Sequence, residues 1–226
     1  LALQFDMFPE ELRQQAAQRL VDNIKSYGYH LTTGFLGTPY LCDVLTRFGH
    51  TDVAYRLLLQ ETYPSWLYPV KMGATTIWER WDGIKPNGDP QTPGMNSYNH
   101  YAYGAIGDWM YRVVAGIDTD GKGPGYKKII IKPHPNEKLT YAEASLDTYY
   151  GKIISSWKTD NGKFSMDVQI PPNTTATVYI PVKSVDLLLE NGKPVSSQQG
   201  IETTTAEDGY VGLKLGSGKY KFSEKN

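Results

Sequence analysis

The chain has 226 residues, 23 basic and 24 acidic side chains and a formal net charge of -1, so no global field would gather nucleic acid or an anionic membrane. The single Cys42 excludes an intrachain disulfide, and no spacing of His, Cys, Asp or Glu predicts a metal site or a cofactor. No apolar run reaches the roughly 20 residues of a membrane helix, so the chain reads as soluble, with its compartment (cytoplasmic, periplasmic or secreted) open. Its start at Leu1, on the approach to a helix, reads as a beginning inside a longer polypeptide.

From Pro9, the positions Leu12, Ala16, Leu20, Ile24 and Tyr27 follow the helical period, with Glu10 and Glu11 favourable to the helix dipole and Gly28 as a stop. Thr38-Pro39 opens a second helix carrying Leu41, Val44, Leu45 and Phe48, and Thr51 caps a third that ends before Pro64. After a long loop rich in Gly, Pro and Trp, Asn96 or Ser97 caps a fourth helix predicted to reach about Ala115. Composition changes at the glycine-rich stretch Gly121 to Gly125, and beyond it the period is two: Phe164, Met166, Val168 and Ile170, then Ala176, Val178 and Ile180, then Val211, Leu213 and Leu215. Asn161-Gly162 and Asn191-Gly192 are hairpin signals and Gly216-Ser217-Gly218 is a further turn, so the stretch from Lys127 to Phe222 reads as an antiparallel sandwich. The expected organisation is α plus β, with a helical domain at 1–120 and a β-domain at 126–226.

The long loop holds the stretch with chemistry in it: Gly-Ala-Thr-Thr-Ile-Trp-Glu-Arg-Trp-Asp-Gly, from Gly73 to Gly83. Trp78 and Trp81 offer flat apolar faces to a pyranose ring, and Glu79 offers a carboxylate that takes a proton from water. On residue types alone, a turn glutamate beside core tryptophans is the simpler reading. Trp66, Tyr68 and Phe35 suit either a pocket lining or loop packing, while His30, His50 and His134 lie far apart and read as surface or packing residues.

Several phrases in sequence order resemble the α-L-rhamnosidases of glycoside hydrolase family 78: Leu31-Thr-Thr-Gly-Phe-Leu-Gly-Thr-Pro-Tyr40, Tyr63-Pro-Ser-Trp-Leu-Tyr68, Gly73 to Gly83, and Asn96-Ser-Tyr-Asn-His-Tyr-Ala-Tyr-Gly-Ala-Ile-Gly-Asp-Trp109. Tyr150-Gly-Lys-Ile-Ile-Ser-Ser-Trp157 and Ile170-Pro-Pro-Asn-Thr-Thr-Ala-Thr-Val178 are similar to that family's C-terminal β-domain. The resemblance implies an incomplete (α/α)6 barrel followed by an antiparallel β-sandwich, because this chain has too few helices for a whole barrel. It implies inverting hydrolysis of terminal α-L-rhamnosyl residues from a glycoside or polysaccharide, without metal or cofactor, with the remaining N-terminal part of the same polypeptide as partner.

Within that resemblance Glu79 takes the role of general base and His100 contacts the bound rhamnose, with Trp78 and Trp81 as further substrate-binding residues. The family's general acid, a glutamate in an upstream acidic, arginine-containing motif, has no counterpart here. An inverting pair stands roughly 6.5 to 9.5 Å apart to admit a water, so Asp82 is a poor partner for Glu79. In the first turn of the fourth helix His100 would be held neutral by the dipole; packing toward Asp108 is its plainer use. Two other readings remain: a non-catalytic carbohydrate-binding or structural module, and another (α/α)6 barrel glycosidase or lyase.

Overall fold

The computed structural model describes residues 1–206 and 209–225. The chain forms two compact units, Leu1–Trp109 and Met110–Asn226.

In the first unit, α1 (Glu10–Ser26) follows Pro9 and ends where Gly28 and Tyr29 turn left-handed, at φ 65° and 60°. Its buried positions are Ala17, Val21 and Ile24, of which only Ile24 belongs to the expected stripe. Leu12 remains 44% exposed, and with Ala16, Leu20, Leu1, Phe8 and Tyr40 it borders an apolar hollow of about 500 Å³. Ala16 and Leu20 also pack against the cluster of Leu3, Ala17 and Val44, and Leu3 and Val44 line the hollow as well, so the packed face and the rim of the hollow are continuous. α2 (Thr38–Arg47) and α3 (Thr51–Leu58) lie where the sequence reading placed them, except that Thr51 is the first helical residue rather than the cap, which is His50 without a side-chain bond; the two bury Leu45, Ala54 and Leu57 completely. Beside them Trp109 is 1% exposed, its indole N–H donating to Thr46 Oγ1 at 2.9 Å and its ring meeting the edge of Tyr55.

The fourth predicted helix does not start at Ser97. A short α4 (Leu67–Lys71) precedes the long loop, which is broken only by a 3-10 turn at Pro93–Met95, and the next helical structure is a 3-10 turn at Ala102–Ala105 followed by α5 (Ile106–Trp109). The carbonyls of Ser97 and Tyr98 accept from the loop at 76–79 instead, which removes acceptors that a helix there would need. His100 consequently precedes the first helical turn rather than lying inside it.

The second unit opens with a π-helical turn, Met110–Val114, in which Ala115 N–H bonds to Met110 O at 2.9 Å. Gly116 follows at φ 86°, where an added Cβ would stand 2.3 Å from the Pro133 nitrogen, so only glycine fits. One sheet contains β1 (Ile117–Thr119), β2 (Lys128–Ile131), β6 (Thr175–Ile180), β10 (Val211–Leu215) and β9 (Ile201–Thr204), hydrogen-bonded in that order. The other contains β3 (Tyr141–Thr148), β4 (Gly151–Asp160), β5 (Lys163–Ile170), β11 (Gly218–Glu224), β7 (Leu188–Glu190) and β8 (Lys193–Pro194). The pairs are antiparallel except β2 with β6, which run parallel, so the first sheet is mixed rather than wholly antiparallel.

Alternation places Phe164, Met166, Val168 and Ile170 of β5 inward, as read from the sequence. Asn161-Gly162 and Asn191-Gly192 close hairpins with both residues at positive φ, the type I′ geometry such pairs favour. Gly216-Ser217 is a turn of another kind, carrying the chain from β10 in one sheet to β11 in the other. The glycine-rich stretch at 121–125 connects β1 to β2, which pair with Ile117 opposite Ile131, so the change from helices to strands precedes it. Among the described residues no helix is long and apolar enough to cross a membrane, and no group of three His, Cys, Asp or Glu could hold a metal.

Candidate active site

The site is built from two loop segments of the first unit that run side by side. Glu79 N–H donates to Ser97 O at 2.9 Å, His100 N–H donates to Ile77 O at 2.8 Å, and the Thr76 hydroxyl donates to Tyr98 O. Across this seam Ser97 N–H donates to Glu79 Oε2 at 2.8 Å, so Glu79 and Ser97 hold each other through both main chain and carboxylate. A charged acceptor makes this the strongest bond of the set. Oε1 has no hydrogen-bond partner among the described residues, and the side chain is only partly buried.

His100 stands three residues beyond Ser97. Its ring stacks on Phe35 with centroids 4.7 Å apart and lies nearly parallel to Tyr101, and its Nδ1 accepts from Ala102 N–H at 3.4 Å. A ring nitrogen that accepts carries no proton, so this contact puts the proton of the neutral ring on Nε2. The ring's orientation thus comes from stacking and a local backbone bond, not from a helix dipole.

The two indoles flanking Glu79 are packed. Trp78 is 5% exposed with Tyr98 at its edge, and Trp81 is 9% exposed with one face on the Tyr103 ring at 3.7 Å. Trp66, whose N–H donates to Tyr103 O at 2.9 Å, meets Trp81 edge-on, and together with Trp78 they enclose a small cavity of about 40 Å³. That volume holds roughly one water molecule and no sugar ring. Tyr68 is buried, its hydroxyl donating to Ile84 O at 2.9 Å.

Asp82 is fully engaged. Arg80 Nε lies 3.0 Å from its Oδ1 and Gln91 Nε2 lies 2.7 Å from its Oδ2. Burial alone would raise this carboxyl's pKa, but the hydrogen bonds from Arg80 and Gln91 and the charge of Arg80 outweigh it, and the net shift is downward from the ordinary 3.8. Asp82 therefore stays ionised with both oxygens occupied, unsuited to donate a proton near neutral pH. It also occupies Arg80, leaving that guanidinium committed to Asp82.

Sequence reasoning did not find Ser97, Asn96, Tyr98 and Gly83 as site residues. Asn96 Nδ2 and Tyr98 Oη both donate to Gly83 O, at 3.1 and 3.0 Å, and Gln91 N–H donates to the same oxygen at 2.9 Å. The signal available was thin: a glycine closing the Trp-Glu-Arg-Trp-Asp run and an Asn-Ser pair of the kind that caps helices. The 500 Å³ hollow beside α1 contains no carboxylate in its lining.

Comparison with known proteins gives a consistent result. Residues 1–114 match the bacterial α-L-rhamnosidase 6 hairpin glycosidase domain, and residues 116–193 match the bacterial α-L-rhamnosidase C-terminal domain. An α-L-rhamnosidase of Streptomyces avermitilis is 47% identical over 223 residues, covering 99% of this chain and 21% of that protein. One from Formosa agariphila is 42% identical over 225 residues, covering 100% of this chain and 24% of its own length. The crystal structure of the Streptomyces avermitilis enzyme complexed with L-rhamnose superposes with a TM-score of 0.90 at 45% identity, over 99% of this chain and 21% of that one. The chain thus spans about a fifth to a quarter of the length of the relatives it matches.

Proposed function

The chain belongs to the bacterial α-L-rhamnosidase family, and on that footing we propose that it is the part of a longer inverting α-L-rhamnosidase that supplies the general base, Glu79, and a rhamnose contact, His100. The observation that supports this most directly is the state of the Glu79 carboxylate. One oxygen is fixed by Ser97 N–H at 2.8 Å and the other is free of protein partners among the described residues, so a water held by Oε1 meets an acceptor whose direction is already set.

In the proposed reaction Oε1 takes a proton from that water as its oxygen bonds to the anomeric carbon, while the bond from that carbon to the leaving oxygen breaks on the opposite face. The leaving oxygen is protonated by a carboxylic acid contributed from outside residues 1–226, since Asp82, the nearest carboxylate in sequence, is held ionised by Arg80 and Gln91. His100 donates to a sugar hydroxyl through Nε2, its Nδ1 being turned to Ala102 N–H, and stacking on Phe35 keeps it aimed. Trp78 and Trp81, both buried, contribute by packing: Trp78 against Tyr98 and Trp81 on Tyr103 hold the loop that carries Glu79.

The test compares the full-length enzyme with residues 1–226 alone on p-nitrophenyl α-L-rhamnoside, and follows the first-formed sugar by proton NMR. The full-length enzyme releases β-L-rhamnose first and residues 1–226 alone show no turnover above background. Initial release of the α-anomer refutes inversion, and robust hydrolysis by residues 1–226 refutes the assignment of the acid to another part of the enzyme.

A further inference from the structure

Glu79 is aimed by a single backbone N–H, that of Ser97, and a backbone group is only as well placed as the residues on either side of it. Those residues are Asn96 and Tyr98, and both reach back to one atom, the carbonyl oxygen of Gly83, four residues beyond Glu79. Asn96 Nδ2 also lies 3.2 Å from Tyr98 Oη and 3.4 Å from Gln91 O, so the two side chains and the carbonyl form a closed triangle. The Tyr98 ring stands edge-on to Trp78, the residue before Glu79, with centroids 5.3 Å apart. Gly83 admits this approach because it lacks a side chain: a Cβ there would lie 2.9 Å from Trp78, 3.0 Å from Asn96 Oδ1 and 3.2 Å from Tyr98.

We propose that Asn96 and Tyr98, through their shared grip on the Gly83 carbonyl, are positioning residues that set the aim of the Glu79 carboxylate. The inference rests on Glu79 being the base, and it adds the device that orients it. The Ser97 N–H lies between the two anchored residues, so its direction is fixed relative to the segment from Trp78 to Gly83 that carries the carboxylate.

Tyr98→Phe removes the hydroxyl and keeps the ring against Trp78; Asn96→Asp keeps the shape and removes both amide donors. In the full-length enzyme each variant lowers kcat about tenfold or more, with KM within about twofold and the melting temperature nearly unchanged, because a reoriented base impairs only the chemical step. Glu79→Gly is the companion variant, assayed with sodium azide. Azide needs no deprotonation: its nitrogen bonds to the anomeric carbon as the bond to the leaving oxygen breaks, that oxygen takes the acid's proton, and β-L-rhamnosyl azide forms. A Glu79→Gly variant that is inactive in water and regains turnover with azide, beside slow Tyr98→Phe and Asn96→Asp, supports the proposal. Wild-type kcat in both positioning variants overturns it while leaving the base intact, as does parallel loss of kcat, KM and melting temperature, which marks damage to the fold only. Near-normal kcat in Glu79→Gly overturns the base itself.

Discussion

Gly83→Ala tests the packing around Glu79, the proposed base, most sharply, because two opposing effects can be weighed. Gly83 is not among the glycines at positive φ, so alanine is compatible with its backbone and would gain about 0.4–1 kcal/mol by restricting the unfolded chain. Against this, the new methyl meets Trp78 Cε3 at 2.9 Å, Asn96 Oδ1 at 3.0 Å and Tyr98 Cε1 at 3.2 Å. None of the three is the loose end of a flexible chain: Trp78 is 5% exposed, and Asn96 and Tyr98 are tied to the Gly83 carbonyl itself. Relieving several tenths of an ångström against fixed neighbours costs about 1–3 kcal/mol, which exceeds the entropic gain. The net loss of roughly 1–2 kcal/mol corresponds to a fall in melting temperature of about 2–8 °C for a cooperative domain of about 150–250 residues. Because the shift separates residues 83 and 96, turnover also falls, by about tenfold to a hundredfold for a displacement approaching 1 Å. Differential scanning calorimetry and rhamnoside hydrolysis on the full-length enzyme measure both, with Gly107→Ala as control, since its Cβ meets nothing within 4 Å and it lies in α5. Wild-type stability and rate in Gly83→Ala would refute the reasoning.

Glu79→Gln keeps the bond from Ser97 N–H but cannot take a proton, so kcat falls about 10²–10⁴-fold with substrate affinity retained, read by turnover and by rhamnose binding calorimetry. Asp82 has a depressed folded pKa, so its stabilising contribution is present above its ordinary value of 3.8 and is lost as pH falls through the lower folded value. The melting-temperature gap between the unsubstituted protein and Asp82→Asn should therefore be open at pH 6 and close as pH drops below about 3.8; a gap independent of pH contradicts the Arg80–Asp82 assignment. Trp157, 2% exposed, donates its indole N–H to Val114 O at 2.7 Å, so Trp157→Phe strands a buried carbonyl and opens a void. Urea unfolding of the second unit should show a loss of about 2–4 kcal/mol at unchanged m. Burial pushes the Cys42 thiol well above its ordinary range, so it should resist a thiol-specific disulfide reagent in the folded chain and react on unfolding.

The parts of this molecule that sequence could reveal are those in which side chains repeat at a structural period. Alternation along β5 and the Asn-Gly pairs at 161–162 and 191–192 fixed strands and turns, because a half-buried sheet and a type I′ turn each demand residue types at set intervals. For α1 the period gave the helix but not the packed face. Leu12, Ala16 and Leu20 are as apolar as Ala17, Val21 and Ile24, and only the fold distinguishes the positions buried in this chain from those bordering the open hollow. The parallel pairing of β2 with β6 was invisible for a related reason: strand alternation states which side faces inward, not which neighbour is taken or in which direction.

The site divides along the same line. Glu79 between two indoles could be singled out because carboxylate and aromatics are side-chain chemistry, but residue types alone favoured a turn glutamate, and its proposed role came from the family resemblance. What aims the carboxylate is a main-chain N–H eighteen residues away, and every residue except proline has one. The helix expected from Ser97 failed although its cap and apolar positions were credible: the carbonyls of Ser97 and Tyr98, which a helix would offer to residues four further on, accept instead from Glu79 N–H and the Thr76 hydroxyl. The N–H groups of Ser97 and His100 would have been free at a helix start in any case, so it is these two carbonyls, bound across the seam, that mark the break in a plausible helix.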